Sequence, residues 1–119
     1  MALKEILRGI VEECGCLGAV VMGYDGIAID ECLNESAAFD VPSLAVEYAS
    51  VLKEIKRTVG VLKTGELEEV AIVAERLSVL VRGLDDDLFV ALVMGEGGNL
   101  GKGRYLLKRE APRLRAVLQ

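Results

Sequence analysis

The first fourteen residues carry a single helical stripe. Leu3, Ile6, Leu7, Ile10, Val11 and Cys14 fall at i, i+3, i+4, i+7, i+8 and i+11, while Lys4, Glu5, Arg8, Glu12 and Glu13 lie off that face. The spacing predicts a helix lying one-sided on a core and stopping at Gly15. The period then shortens. Residues 17–22 form an apolar run of strand length, Tyr24-Asp25-Gly26 reads as a tight turn, and 27–33 as a second strand. Alternation puts Ile27, Ile29 and Glu31 on one face and Ala28, Asp30 and Cys32 on the other, the pattern of a half-exposed edge.

Residues 34–40 read as a loop ending in Asp40, which can cap a helix with Pro42 in its first turn. Phe39 and Leu44 fit the spacing of a hydrophobic staple. Leu44, Tyr48, Val51, Leu52, Ile55 and Val59 continue that helix to a predicted stop at Gly60, with small Ala45 and Ala49 widening the stripe. Three strand-length runs follow at 67–74, 77–84 and 88–94, broken by Glu75-Arg76 and Asp85-Asp86. The third contains no polar residue, as expected of a central strand covered on both faces. A last helix, capped by Asn99, is predicted through Tyr105, Leu106, Leu107, Leu114, Val117 and Leu118, with a kink at Pro112. The order αββαβββα predicts an α/β (α+β) domain in which a hairpin and a three-stranded meander share one antiparallel sheet, with helices on its faces.

Composition narrows the functional classes. A chain of 119 residues, 52% hydrophobic and 28% charged, fits one domain spanning 1–119. Aromatics make up 4% and Trp is absent, so the core is expected to be aliphatic. No apolar run reaches the roughly 18–20 residues of a membrane span, and the first residues alternate apolar and charged side chains instead of forming a signal segment, so the cytoplasm is the expected location. The chain holds no His, which removes the commonest general base and metal ligand. Cys14, Cys16 and Cys32 are expected as reduced apolar fillers, and neither a metal nor a cofactor is expected. An enzyme is not expected.

Several motifs fail on spacing. Residues 95–103 suggest a phosphate loop, but Glu96 stands where the first Gly belongs, Gly103 replaces the hydroxyl, and Leu100 replaces the third Gly of the dinucleotide pattern. Asp85-Asp86-Asp87 lacks the alternating ligands of a calcium loop and reads as a turn. The net charge of −5 disfavours general nucleic-acid binding. It is unevenly spread, however: residues 98–119 hold 6 basic and 1 acidic side chain. Lys102 and Arg104 stand at the start of the last helix, where the dipole disfavours cations, and are read either as a contact for an acidic partner or as solvated charges.

One feature is left over. Residues 70–74 are apolar on both faces, although a strand opening a meander can lie at a sheet edge, where an apolar edge invites pairing. With the wide stripe of the middle helix, this predicts self-association through Val70, Ile72 and Ala74 together with Tyr48, Leu52 and Ile55.

In the order GAVVMGYDGI (18–27), LEEVAIVAE (67–75), LDDDLFVALV (84–93) and NLG (99–101), the chain resembles the Roadblock/LC7 superfamily over essentially its whole length. The resemblance implies a profilin-like, five-stranded antiparallel sheet in the order 2-1-5-4-3, with the middle helix on one face and the terminal helices on the other. It implies a homodimer built from third strands and middle helices. It also implies a regulator or scaffold that binds a Ras-like small GTPase, with activation proceeding by reshaping the GTPase instead of by an arginine finger. The alternative is a small-molecule sensor or purely structural scaffold of the same fold.

Overall fold

The computed structural model describes residues 2–35 and 39–119. The elements run α1 (Leu3–Cys14), β1 (Gly18–Gly23), β2 (Ala28–Leu33), α2 (Val41–Leu62), β3 (Glu69–Val73), β4 (Leu77–Gly83), β5 (Leu88–Gly95) and α3 (Leu100–Leu118). The strands form one antiparallel sheet in the order β2-β1-β5-β4-β3. The element order is the one expected from the sequence pattern, and the strand order is the one the resemblance implies.

The sheet separates two cores. On one face Leu7 and Ile10 of α1 and Leu106 and Leu114 of α3 close over Val21, Leu80, Val90 and Leu92. On the other, Ala45, Ala49 and Leu52 of α2 close over Val20, Met22, Val81, Phe89 and Val93. The central strand β5 therefore sends successive side chains into opposite cores, which explains a strand with no polar residue. Each fully buried Leu or Phe contributes about 1.5–3 kcal/mol of transfer free energy.

Local signals act where the sequence places them. Gly15 ends α1 in the left-handed region, φ 70°, and its N–H donates to the Val11 carbonyl. The Asp40 carboxylate accepts from the Ser43 N–H at 3.3 Å, and the Asn99 side-chain oxygen from the Lys102 N–H at 3.0 Å. Asp85 holds its turn by accepting from the N–H groups of Asp87 and Leu88, both at 2.8 Å.

Three expectations change. In β2, Val21 pairs with Asp30 but Met22 with Ala28, so Ile29 is an extra residue in a bulge. Ala28 consequently shares the α2 face with Glu31, not the α1 face with Asp30 and Cys32. The hairpin before it keeps the predicted turn at Tyr24-Asp25-Gly26, with Gly26 at φ 87° and the Gly23 N–H donating to the Ile27 carbonyl. Helix α2 passes through Gly60 and stops at Lys63, φ 55°, because the Lys63 and Thr64 N–H groups cap the last turn on Gly60 and Val59. Pro112 sits inside an uninterrupted α3 on its exposed side. The predicted loop 34–40 includes 36–38, which lie outside the described residues, and Phe39 beside them is 42% exposed.

Candidate functional site: the free edge of the sheet

Strand β3 closes the sheet and, among the described residues, pairs only with β4, in an uninterrupted register from Glu69–Arg82 to Val73–Ser78. The Ala74 N–H donates to the Leu77 carbonyl at 3.0 Å, and the Gly83 N–H to the Glu68 carbonyl at 3.2 Å. Even-numbered residues therefore spend their backbone groups on β4. By the alternation of an antiparallel ladder, the N–H and C=O groups of Glu69, Ala71 and Val73 point to the open side. The other edge, β2, is interrupted by its bulge and carries Asp30 and Glu31, both devices that blunt an edge. β3 is straight in register and apolar at its centre.

Side chains of β3 divide by face. Val70 and Ile72 are half-buried beside Val79 and Val81 in the core on the α2 side. Ala71 and Val73 lie on the α3 side and are exposed, Val73 by 64%. The buried side chains of α2 cluster with residues of β1, β4 and β5, and Val70 and Ile72 of β3 are only partly buried at the margin of that cluster. Along α2, Leu44, Tyr48 and Ile55 are half-buried, and Val51 and Leu62, on the same helical flank, are 51% and 65% exposed.

Several residues singled out from sequence sit differently from expectation. Leu52 is 1% exposed and belongs to the core beneath α2, out of reach of anything outside the chain. Small Ala45 and Ala49 bring the helix close to the sheet and put the long side chain of Leu52 inside. Ala74 lies just past β3 with its N–H committed to β4. Arg104 is an internal partner: its Nε donates to Glu69 Oε2 at 3.1 Å, tying α3 to the edge strand. Lys102 is exposed. Sequence reasoning marked the 70–74 edge without separating Ala71 and Val73 from their neighbours, and it left out Glu69. Period-two alternation marks two sets of residues in a strand, but only the register with β4 tells which set keeps its backbone free.

Other polar groups hold the scaffold. Glu110, 4% exposed, accepts from Arg109 Nε at 3.2 Å and from the Arg113 guanidinium. Arg109 also forks onto both oxygens of Glu13 at 3.1 and 3.2 Å, joining α3 to α1. That hydrogen bond holds the Glu13 carboxyl below its ordinary value. Burial pushes the Cys16 thiol up to about 12 and raises Cys14 as well. Tyr24 packs on Phe89 with ring centres 5.1 Å apart and lies under Lys56 Nζ, and burial raises its phenol, helped by Asp85 and Asp86. An open groove of about 480 Å3 runs beside it, lined by Lys53, Lys56 and Arg57 against Asp25, Asp86 and Asp87. Among the described residues no group of three His, Cys, Asp or Glu side chains could hold a metal ion, and no helix is long and apolar enough to cross a membrane.

No protein-family model matches the chain, and no curated protein matches it. Solved structures do. MglC from Myxococcus xanthus is 36% identical, with 98% of each chain covered and a TM-score of 0.72. An MglB in a tetrameric arrangement is 22% identical, with 97% of this chain and 86% of that chain covered and a TM-score of 0.85. A Roadblock/LC7 domain from Streptomyces avermitilis is 16% identical, covering 99% and 98%, with a TM-score of 0.80. The last two share the fold, and the first shares more than a third of its residues across nearly the whole length. With its sheet order and helix placement, the chain belongs to the Roadblock/LC7 superfamily.

Proposed function

We propose that this chain is a non-catalytic, homodimeric adaptor or regulator of a Ras-like small GTPase, acting in the cytoplasm as a single Roadblock/LC7-type domain. One observation carries the self-association: β3 is a straight, apolar edge with three residues' backbone groups unspent, beside a sheet face that α2 covers only in part. Pairing with a second β3 satisfies those groups, and a second α2 can shield the exposed flank of Val51 and Leu62. The tetrameric arrangement of the MglB relative supports a surface built for assembly. Val70, Ile72, Tyr48 and Ile55 are the proposed contacts from the sequence, joined by Ala71 and Val73; Leu52 supports them from inside. The choice of a GTPase rests on what superfamily membership implies, and Lys102 is the exposed cation offered to it.

Two measurements test this reading. Sedimentation of the purified chain gives a dimer, and Ile72→Arg, which sets a charge at the paired edge, gives monomer or aggregate; an unchanged dimer refutes the edge. Pull-down against the Ras-like GTPases of the source organism, each loaded with GDP or a GTP analogue, yields a nucleotide-dependent complex. Absence of a complex with all of them, in both states, refutes the partner.

A further inference from the structure

We infer that the outward face of α3, centred on Tyr105, docks an acidic amphipathic helix of a partner protein. The inference goes beyond the dimer and the GTPase reading, which draw on α3 only through Lys102, and depends on neither. A helix lying on a sheet normally buries one apolar stripe and turns charged residues to water. α3 buries Leu106, Leu107, Ala111 and Leu114, yet on its opposite side stand Gly101, Tyr105, Pro112 and Ala116, all exposed and none charged. They fall at i, i+4, i+11 and i+15, a line about 22 Å long on the helix surface. Tyr105 is 59% exposed at its middle turn.

The cations of α3 stand in two rows beside that line. Arg104, Lys108 and Arg115 lie toward the sheet edge, where Arg104 Nε donates to Glu69 Oε2 at 3.1 Å and Arg115 Nε to the Leu84 carbonyl at 2.7 Å. Lys102, Arg109 and Arg113 lie toward α1, where Arg109 forks onto Glu13. The arginines thus spend their charge on Glu13, Glu69 and Glu110 or on backbone carbonyls. Lys102 and Lys108, one in each row, are exposed and make no ion pair among the described residues. An apolar centre bordered by charge is the anatomy of a protein–protein contact, and Tyr is a side chain that commonly anchors one. The Arg109 guanidinium, 5.7 Å from the centre of the Tyr105 ring, steadies that ring on the surface. Small Gly101 and Ala116 let a second helix lie close along α3, and two basic rows call for acidic flanks on it. Glu5 and Glu13, which line the α1–α3 groove beside this face, oppose a uniform polyanion such as nucleic acid or an anionic bilayer.

Fluorescence anisotropy on the full chain tests this with a fluorescein-labelled helical peptide bearing Leu and Ala along one seam and Glu on both flanks. A peptide with Gln in place of every Glu is the charge control. The acidic peptide binds, the Gln peptide binds on the order of tenfold more weakly, and added salt narrows the gap. Tyr105→Ala weakens binding about tenfold or more. Lys108→Glu weakens it about fivefold, while Lys53→Glu on the α2 face leaves it unchanged, with circular dichroism confirming that each variant folds. No binding of the acidic peptide, or binding that Tyr105→Ala leaves intact, overturns the proposal. Phosphatidylserine vesicles or a single-stranded oligonucleotide held through Lys102 and Lys108 without help from Tyr105 overturn it in favour of a polyanion surface. No GTPase enters these measurements, and each variant is compared at one protein concentration, so their failure is separate from failure of the dimer or of the GTPase partner.

Discussion

Gly83→Ala and Gly60→Ala change the same atoms and are expected to shift stability in opposite directions. A Cβ at Gly83 stands 2.5 Å from the Leu67 carbonyl oxygen and 3.5 Å from the Tyr24 hydroxyl. Ordinary carbon–oxygen approach is about 3.3 Å, so backbone must move by roughly 0.8 Å. Neither strand can yield cheaply, because the Gly83 N–H donates to Glu68, one residue along the same lead-in. Overpacking of this kind costs about 1–3 kcal/mol, against which the loss of unfolded-state freedom returns about 0.4–1 kcal/mol. The net expectation is a loss of about 1–2 kcal/mol, near 4 °C in Tm for each kcal/mol at this chain length. A Cβ at Gly60 meets nothing within 4 Å on the exposed side of α2, so Ala there gains about 0.5–1 kcal/mol of helix propensity. Urea denaturation at one fixed protein concentration measures both, since association adds to apparent stability. Gly83 also packs on the lead-in to β3, so its variant is expected to weaken the proposed dimer while the Gly60 variant leaves it unchanged. A Gly83→Ala protein as stable as wild type, or a destabilised Gly60→Ala, refutes the packing argument.

Two further outcomes are expected. Hydrogen bonds from Ser43 hold the Asp40 carboxyl below its ordinary value, so its contribution is complete above the usual aspartate range and disappears as pH falls through the lowered native value. Asp40→Asn is therefore less stable than wild type at neutral pH, with the gap closing in acid; a gap constant with pH in urea titrations contradicts the assignment. Cys16, buried and raised to about 12, remains unmodified by iodoacetamide in the native protein near pH 8 and reacts after unfolding. Mass spectrometry showing Cys16 labelled in the native state as fast as an unfolded thiol rejects that environment.

Most of the fold is legible locally. The stripe from Leu3 to Cys14, the caps at Asp40 and Asn99, and the apolar run in β5 each follow from a period or a side-chain hydrogen bond within a few residues. Local rules identify a helix or a strand because they describe how neighbouring residues share one stretch of backbone. They do not say how two stretches align. The bulge at Ile29 that moves Ala28 to the α2 face, the continuation of α2 past Gly60, the burial of Leu52 under its helix and of Glu110 between two arginines all depend on packing between distant segments. The edge strand shows the division best. Residues 70–74 show from sequence a strand apolar on both faces, but not whether it lies at the centre or the edge of the sheet. Only the register with β4 decides that Glu69, Ala71 and Val73 carry the unspent backbone groups, and only the position of α3 turns Arg104 from a free cation into the partner of Glu69. Hydrophobic periodicity is a property of a segment, whereas a free hydrogen-bonding edge is what remains after every other segment has taken its partners.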